Sequence, residues 1–420
     1  MTAPWESDAA QQAAEQLRTT PVIRDRCKQL LQRVRAGESK WFVLDEGFLD
    51  TAAREVADST RQRYPKLHVP FHSRWRHFEA GGVDRKAQLD RLLAPLPPVE
   101  RAHALIDLAF VSVLLDGGAG PDWKYVEPAT GQTFTRSEGL GVASFHAFTS
   151  GLFSSNKARP LQADADGLRG LVTDHLASAF QVSEANPLVG LESRAVLLRR
   201  LGEAMADQPE IFGDEEVRPA GIFDVIISPL GPAVPPTADV AAHDILSQVL
   251  ASCSGIWPSG NSIGNIPLGD CWRHAAVRGD GLSDGWVPFH KLSQWLTYSL
   301  LEPFAWAGVQ VRGVEALTAL PEYRNGGLVL DSGLLRLRDE AAAGELWQPG
   351  DEIIVEWRAL TVALMDEVAR AARKQLHLDE QRFPLACVLE GGSWAAGRAL
   401  AQQRRGGLPP LQVASDGTVF

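Results

Sequence analysis

The chain has 420 residues, 45% hydrophobic and 22% charged, the balance of a folded globular protein rather than a disordered one. Its 41 basic and 52 acidic residues give a formal net charge of −11. That excludes a broad basic face for a nucleic-acid polymer but leaves room for a small pocket whose arginines hold one phosphate. Four cysteines, Cys27, Cys253, Cys271 and Cys387, lie far apart without CxxC spacing, which argues against zinc or a disulfide framework and for a reducing cytoplasm.

Helical periodicity dominates from the start. "SDAAQQAAEQLRTTPVIRDRCKQLLQRVRAG" predicts two short helices split near Pro21 and ending at Gly37. The opening residues lack a basic segment followed by an apolar one, so no signal peptide is read. No stretch of about 18 uncharged apolar residues occurs, so no membrane partner is expected. "WFVL" near 41–44 and "YVEP…QTFT" around 125–135 carry short strand signals. "PPVERAHALIDLAFVSVLLDGG" is a helix stopped by Gly117 and Gly118, and "DGLRGLVTDHLASAFQV", "LESRAVLLRRLGEAMADQPEIFG" and "AAHDILSQVLASCSGIW" follow the same period. "GLVL" at 327–330 reads as a further strand. The longest helix starts after Asp351, a candidate N-cap, with Ile353, Trp357, Leu360, Leu364 and Val368 as its apolar stripe. The proline-rich segment 228–240 divides an N-terminal helical lobe with short strands, 1–227, from a C-terminal helical lobe, 241–420. The fold class is mainly α: two packed helical lobes with minor β.

Several stretches concentrate chemistry. "LPEYRNGGL" sets Glu322, Tyr323, Arg324 and Asn325 before two glycines. Asn-Gly-Gly is turn chemistry, so Glu322 and Arg324 are either solvated turn residues or a working carboxylate with Tyr323 and Arg324 holding it or a ligand. "LEGGSWAAGR" carries Gly391 and Gly392 inside a helical pattern, at a cost on the order of 1 kcal/mol each. Close approach of a ligand or of another helix would offset that cost. Glu390 lies four positions before Trp394, on one helical face.

In the long helix, Glu356 and Arg358 occupy the first turns, Glu356 as a dipole-stabilising residue or a buried site carboxylate. "VPFHSRWRHF" holds His72, Arg74 and Arg76 among aromatics, which suits a phosphate clamp or a surface strand. Asp116, Trp123 and Glu138 lie among glycines, and Asp270, Trp272 and Arg273 follow one another closely. With 12 tryptophans, stacking of a planar or sugar-like ligand on indole and ordinary core packing both stand. GxxxxGK[ST], HExxH and GxSxG are all absent, so neither a metal nor a cofactor is expected. Acids, arginines and tryptophans of this kind serve glycosyl hydrolysis.

The motifs "FHSRWRHF", "GDCW", "FHKLSQWLTYSLLEP", "LPEYRNGGL", "VEWRALTVALMDEV", "LEGGSWAAGR" and "SDGTVF" resemble, over nearly the whole chain, the family of the fourth protein of the Urc-type uracil-catabolism pathway. A more distant likeness joins "LLDGG…DWKYVEP…GQTFTRSEGLG", "GDCW", "EYR", "VEWRAL" and "LEGGSW" to the queuosine-salvage N-glycosidases. That likeness implies a DNA-glycosylase-like core and cleavage of a base from ribose 5-phosphate. It places Glu322-Tyr323-Arg324 where those enzymes carry an Asp-Tyr-Arg tripeptide with the catalytic aspartate. An alternative placement at Thr297-Tyr298 would leave no carboxylate.

The resemblances together imply an N-ribosyl hydrolase splitting ribosylurea 5-phosphate into urea and ribose 5-phosphate. Glu322 would face the sugar, with Asp270, Glu356 or Glu390 protonating the leaving nitrogen. His72, Arg74 and Arg76 would hold the phosphate. Trp123, Trp272 and Trp394 would wall the pocket, and Glu138, Tyr323, Arg324, Arg358 and Asp416 would make further substrate contacts. An amidohydrolase acting on the ring-opened fragment, and a non-catalytic nucleotide-binding pathway protein, are the competing classes. The oligomeric state is not legible.

Overall fold

The computed structural model describes residues 4–228 and 238–414. Residues 229–237 of the proline-rich segment, and Asp416, lie outside the described residues. The chain is mainly helical, with strands of two or three residues paired two by two. It divides into two units that interleave along the sequence. The first holds Met1–His72, Asn261–Gln294 and Gly313–Ala414; the second, among the described residues, holds Ser73–Gly260 and Trp295–Arg312. These units are discontinuous, whereas the sequence reading places a single division at 228–240.

The first unit is built around the helix Glu352–Leu376, buried from Ile353 through Met365 on all sides. Each Leu, Ile or Val fully buried there contributes roughly 1.5–3 kcal/mol. Burial on every face also means that Glu356 and Arg358 must find partners inside the protein. Helices Thr20–Arg35, Leu49–Arg63 and Tyr323–Asp331 pack around it, and Trp394–Arg405 packs on Tyr323–Asp331. Phe42–Leu44 pairs antiparallel with Leu335–Leu337, and Cys271–Arg273 pairs antiparallel with Trp286–Pro288.

Residues 327–330, read as a strand from their apolar run, are helical within Tyr323–Asp331. Glu322 caps that helix and Leu328 and Val329 bury one face of it. A short apolar run does not by itself distinguish the two states. Between Leu385–Val388 and Trp394–Arg405 the backbone makes a π turn, Leu389–Ser393. A side chain at Gly392 would meet the Val56 carbonyl, and one at Gly391 would meet Thr60 at 3.0 Å. Helix-to-helix approach therefore accounts for both glycines.

In the second unit the helix Pro98–Leu114 is buried almost throughout its second half, with Arg136–Thr149 packed against it and Leu191–Ala206 nearby. Lys124–Val126 and Thr133–Thr135, where the sequence carries strand signals, pair antiparallel. The stretch "RWRHFEAGG" is not a strand: it is a 3-10 segment, Arg74–Gly82, that buries Arg74, Trp75 and Phe78. The "DGLRGLVTDHLASAF" helix is broken into Ala165–Arg169 and Thr173–Ala179.

Candidate active site

In the first unit Glu322 precedes the helix Tyr323–Asp331 with extended backbone, and its carboxylate accepts the N–H groups of Arg324 at 2.6 Å and Asn325 at 2.7 Å. This is N-cap geometry, and it fixes the carboxylate on a helix N-terminus whose dipole favours negative charge. The residue is half-buried. Burial pushes its carboxyl above the ordinary glutamate range, partly offset by the two N–H donors and by the positive charges of Lys291 and Arg324. Asn325 is held in turn by the Leu320 carbonyl at 3.1 Å and by the Ser393 hydroxyl at 2.8 Å. Gly326 lets the indole of Trp357 lie against the backbone: a Cβ there would meet the ring at 2.7 Å. Of the two readings of this stretch, the solvated turn is replaced by a capped helix in which Arg324 and Asn325 are buried.

Asp270 lies one ion pair away. Its oxygens each sit 2.7 Å from a guanidinium nitrogen of Arg358, and Arg358 Nε donates to the carbonyl of Pro321, the residue before Glu322, at 3.3 Å. Asp270 also accepts the Trp272 indole N–H at 2.7 Å and the Lys291 backbone N–H at 2.9 Å. Burial opposes its ionisation, but Arg358 and these donors overcome it and bring the carboxyl down to about 2. A carboxylate so fully occupied holds neighbours in place and is not a proton donor at neutral pH.

Glu356 and Arg358, two positions apart on one helix, point about 200° apart. Glu356 therefore leaves the Asp270 cluster and meets the hydroxyl of Ser39 and His274 Nε2, the latter at 3.2 Å. Glu390, in the π turn, accepts from Arg63 at 2.8 Å, Tyr64 at 2.9 Å and His72 Nδ1 at 2.9 Å. Burial works against its charge, yet the bond and charge of His72, with Arg63 and Tyr64, hold it at about 2. The four predicted acids thus occupy separate environments: Asp270 joins Glu322 through Arg358, while Glu356 and Glu390 each belong to a network of their own. Trp272 and Trp394 are half-buried, Trp272 edge-on to Gly350 and Trp394 beneath the Arg398 guanidinium. Arg324 lies over the Tyr323 ring at 4.5 Å and donates to the Gly407 carbonyl at 3.2 Å.

In the second unit the arginines expected to clamp phosphate already face carboxylates. Arg74 is fully buried, 2.9 Å from Asp116, and donates to Ser112 at 2.7 Å. Arg76 bridges Glu302 at 2.7 Å and Glu79 at 3.1 Å. His72 is the Glu390 partner described above. Trp123 is core, its N–H bonded to the Phe180 carbonyl and its ring stacked on Phe180. Glu138 is half-buried in the first turn of Arg136–Thr149 and contributes to the negative field around Arg74.

Sequence reasoning leaves Lys291, Ser39, His274 and Asn325 unassigned. Lys291 stands in the quoted motif "FHKLSQWL", but no spacing ties positions 270, 291, 322 and 358 together. All four cysteines are buried and free. Among the described residues no group of three or more His, Cys, Asp or Glu side chains is arranged to hold a metal ion. No described helix is long and apolar enough to cross a membrane.

Fold and site define a mainly helical protein with a helix terminus capped by a half-buried carboxylate and tied to an arginine–aspartate pair. The chain belongs to the family described as "Protein of unknown function (DUF1688)", whose model matches residues 16–420. It is similar to protein urg3 of Schizosaccharomyces pombe, 38% identical over 407 residues covering 95% of this chain and 96% of that protein. It is also similar to uracil catabolism protein 4 of Lachancea kluyveri, 36% identical over 429 residues covering 95% of this chain and 97% of that protein. The motif resemblance to the uracil-catabolism family is thereby established, while nothing in these relatives bears on the queuosine-salvage likeness.

Proposed function

We propose that the chain acts in uracil catabolism as an N-ribosyl hydrolase, cleaving the C1′–N bond of a ribose 5-phosphate that carries urea or a urea-like group. The place in uracil catabolism rests on the printed name of the Lachancea kluyveri relative, 36% identical to this chain. The reaction class rests on one observation: Glu322 is a half-buried carboxylate held by two backbone N–H groups at 2.6 and 2.7 Å. The queuosine-salvage likeness, carried by motif order alone, points to the same residue.

In this reaction water supplies the oxygen that bonds to C1′, the C1′–N bond breaks, and its electron pair and one proton go to the departing urea nitrogen. Positive charge builds on the ribose ring as the bond stretches. Glu322 opposes that charge and can take a proton from the attacking water. Its two N–H donors keep the carboxylate from swinging away, so no reorganisation is needed as the charge develops. Asp270 and Glu390, with carboxyls near 2, stay ionised, and Asp270 serves as a positioning group. Arg358 transmits the Asp270 position to the Pro321 carbonyl beside Glu322.

The test incubates the purified protein with ribosylurea 5-phosphate, UMP and other ribonucleotides and assays free ribose 5-phosphate and urea. Release of both from ribosylurea 5-phosphate is the expected result. Ammonia or carbon dioxide with the sugar bond intact would make the protein an amidohydrolase, and stoichiometric binding without turnover would make it a binding protein.

A further inference from the structure

The two N–H groups that hold the Glu322 carboxylate belong to residues gripped from one helical face. Ser393, the last residue of the π turn, and Gly397, in the first turn of Trp394–Arg405, lie four positions apart and share that face. Ser393 is fully buried, and its hydroxyl donates to Asn325 Oδ1 at 2.8 Å. Gly397 lies so close to the Arg324 carbonyl that a Cβ there would run into it. Arg324 and Asn325 are themselves the donors to Glu322, at 2.6 and 2.7 Å. The orientation of the Asn325 amide follows from its partners. The Leu320 carbonyl only accepts, so Nδ2 faces it at 3.1 Å and Oδ1 is left for the serine proton. Both ends of a buried amide are thereby tied, which fixes the backbone N–H that the same residue sends to Glu322.

The register of the gripping face comes from the π turn. One residue added to a helical turn rotates everything after it by about 100° from the course of an uninterrupted α-helix. Were Leu389–Ser393 regular α-helix, the segment up to Arg405 would present other residues to Tyr323–Asp331. Arg63 holds the turn, donating to the Glu390 carboxylate at 2.8 Å and to the carbonyls of Glu390 and Gly391. We propose that Ser393 is a positioning residue of the Glu322 site, acting through Asn325, and that the π turn sets the register that aims it. This deepens the proposed function, on whose choice of Glu322 it rests. First-turn N–H groups of a helix have no intrahelical partner and fray readily. Tied down from behind, these two keep the carboxylate where positive charge develops on the sugar. Without the Ser393 hydroxyl, Asn325 Oδ1 is left unsatisfied in the interior and the amide is free to turn.

The experiment reads the cap itself and needs no substrate. Labelling with 13C-arginine and 15N-asparagine picks out the backbone amide of Asn325, the one asparagine in the sequence preceded by arginine. In the wild type this amide should exchange with deuterium as slowly as that of buried Val329, not at the rate of a frayed helix end. Ser393→Ala should move its proton upfield and speed its exchange about 10-fold or more, while Ser393→Thr, which keeps the hydroxyl, should retain the wild-type signal. With ribosylurea 5-phosphate, Ser393→Ala should lower kcat about 10-fold or more and leave KM within a few-fold. An unchanged amide signal or an unchanged kcat in a folded Ser393→Ala protein overturns the proposal. Fast exchange of the Asn325 amide in the wild type also overturns it, and that measurement survives a failure of the variant to fold. Absence of cleavage by the wild type would sink the assigned reaction while leaving the amide measurements readable.

Discussion

Arg358 grips Asp270 with two nitrogens at 2.7 Å each, while its third, Nε, reaches the carbonyl of Pro321. One guanidinium thus joins the residue before the strand Cys271–Arg273, the central helix and the residue before Glu322. Both partners are buried, so removing either leaves an uncompensated charge inside the protein.

Asp270→Ala is expected to cost about 3–5 kcal/mol in urea unfolding for that reason. Asp270→Ala with Arg358→Met should cost clearly less than the sum of the two single changes, because the double variant leaves no buried charge. Additive losses would mean that the pair is not coupled.

Glu322→Gln keeps the side-chain size and one carbonyl acceptor while removing the charge. Turnover of the N-ribosyl substrate should fall by about 10²–10³ or more, with ligand affinity within a few-fold and thermal stability near wild type. Glu322→Ala should lose about 1 kcal/mol in addition, the cost of the missing cap. Glu322→Asp should retain partial turnover. Normal turnover in Glu322→Gln would remove the residue from the mechanism.

The pH dependences of Glu322 and Glu390 have opposite signs. Glu322 is raised above its ordinary value, so the folded state binds its proton more tightly than the unfolded chain does. Its contribution to stability is present below the unfolded value and is lost as pH rises through the folded one. Activity runs the other way: kcat/KM should fall as pH drops through that same raised value, leaving the carboxylate protonated. Glu390 is lowered from 4.5 to about 2. It stabilises the fold above about 4.5, an amount lost as pH falls toward 2. Glu390→Gln should therefore be less stable than wild type at neutral pH by a few kcal/mol, with the difference closing between these two values in acid-unfolding curves.

Gly392→Ala sets a methyl group against the Val56 carbonyl and should lower stability by about 1–3 kcal/mol or more through overpacking. Gly391→Ala, facing the movable Thr60 side chain at 3.0 Å, should cost less. Ligand affinity, read by titration calorimetry on the folded variants, should be unaffected; a selective loss of affinity at Gly392→Ala would return these glycines to a binding role.

Arg76 already bridges Glu302 and Glu79. Arg76→Ala should therefore change KM for the phosphorylated substrate and for its dephosphorylated nucleoside by the same factor, and Arg74→Ala should act through stability, since it strips the buried Asp116 of its cation. A rise in KM confined to the phosphorylated substrate would restore the phosphate clamp.

The amino-acid sequence by itself determined the helical character, most helix positions, the strand signals near 125–135 and the family, because periodicity, capping residues and motifs are local signals. It also singled out Glu322, since a carboxylate ahead of Tyr-Arg-Asn-Gly-Gly is conspicuous in one dimension. Only the tertiary structure decided that residues 327–330 are helical, because Glu322 caps them and Trp357 packs on Gly326. It alone gave Gly391 and Gly392 to the helix Leu49–Arg63, and the charges of Arg74 and Arg76 to carboxylates far off in sequence. Asp270, Lys291, Glu322 and Arg358 are joined by one buried ion pair and the hydrogen bonds around it, and the partners of a buried charge are chosen by three-dimensional proximity, which spacing along the chain does not encode.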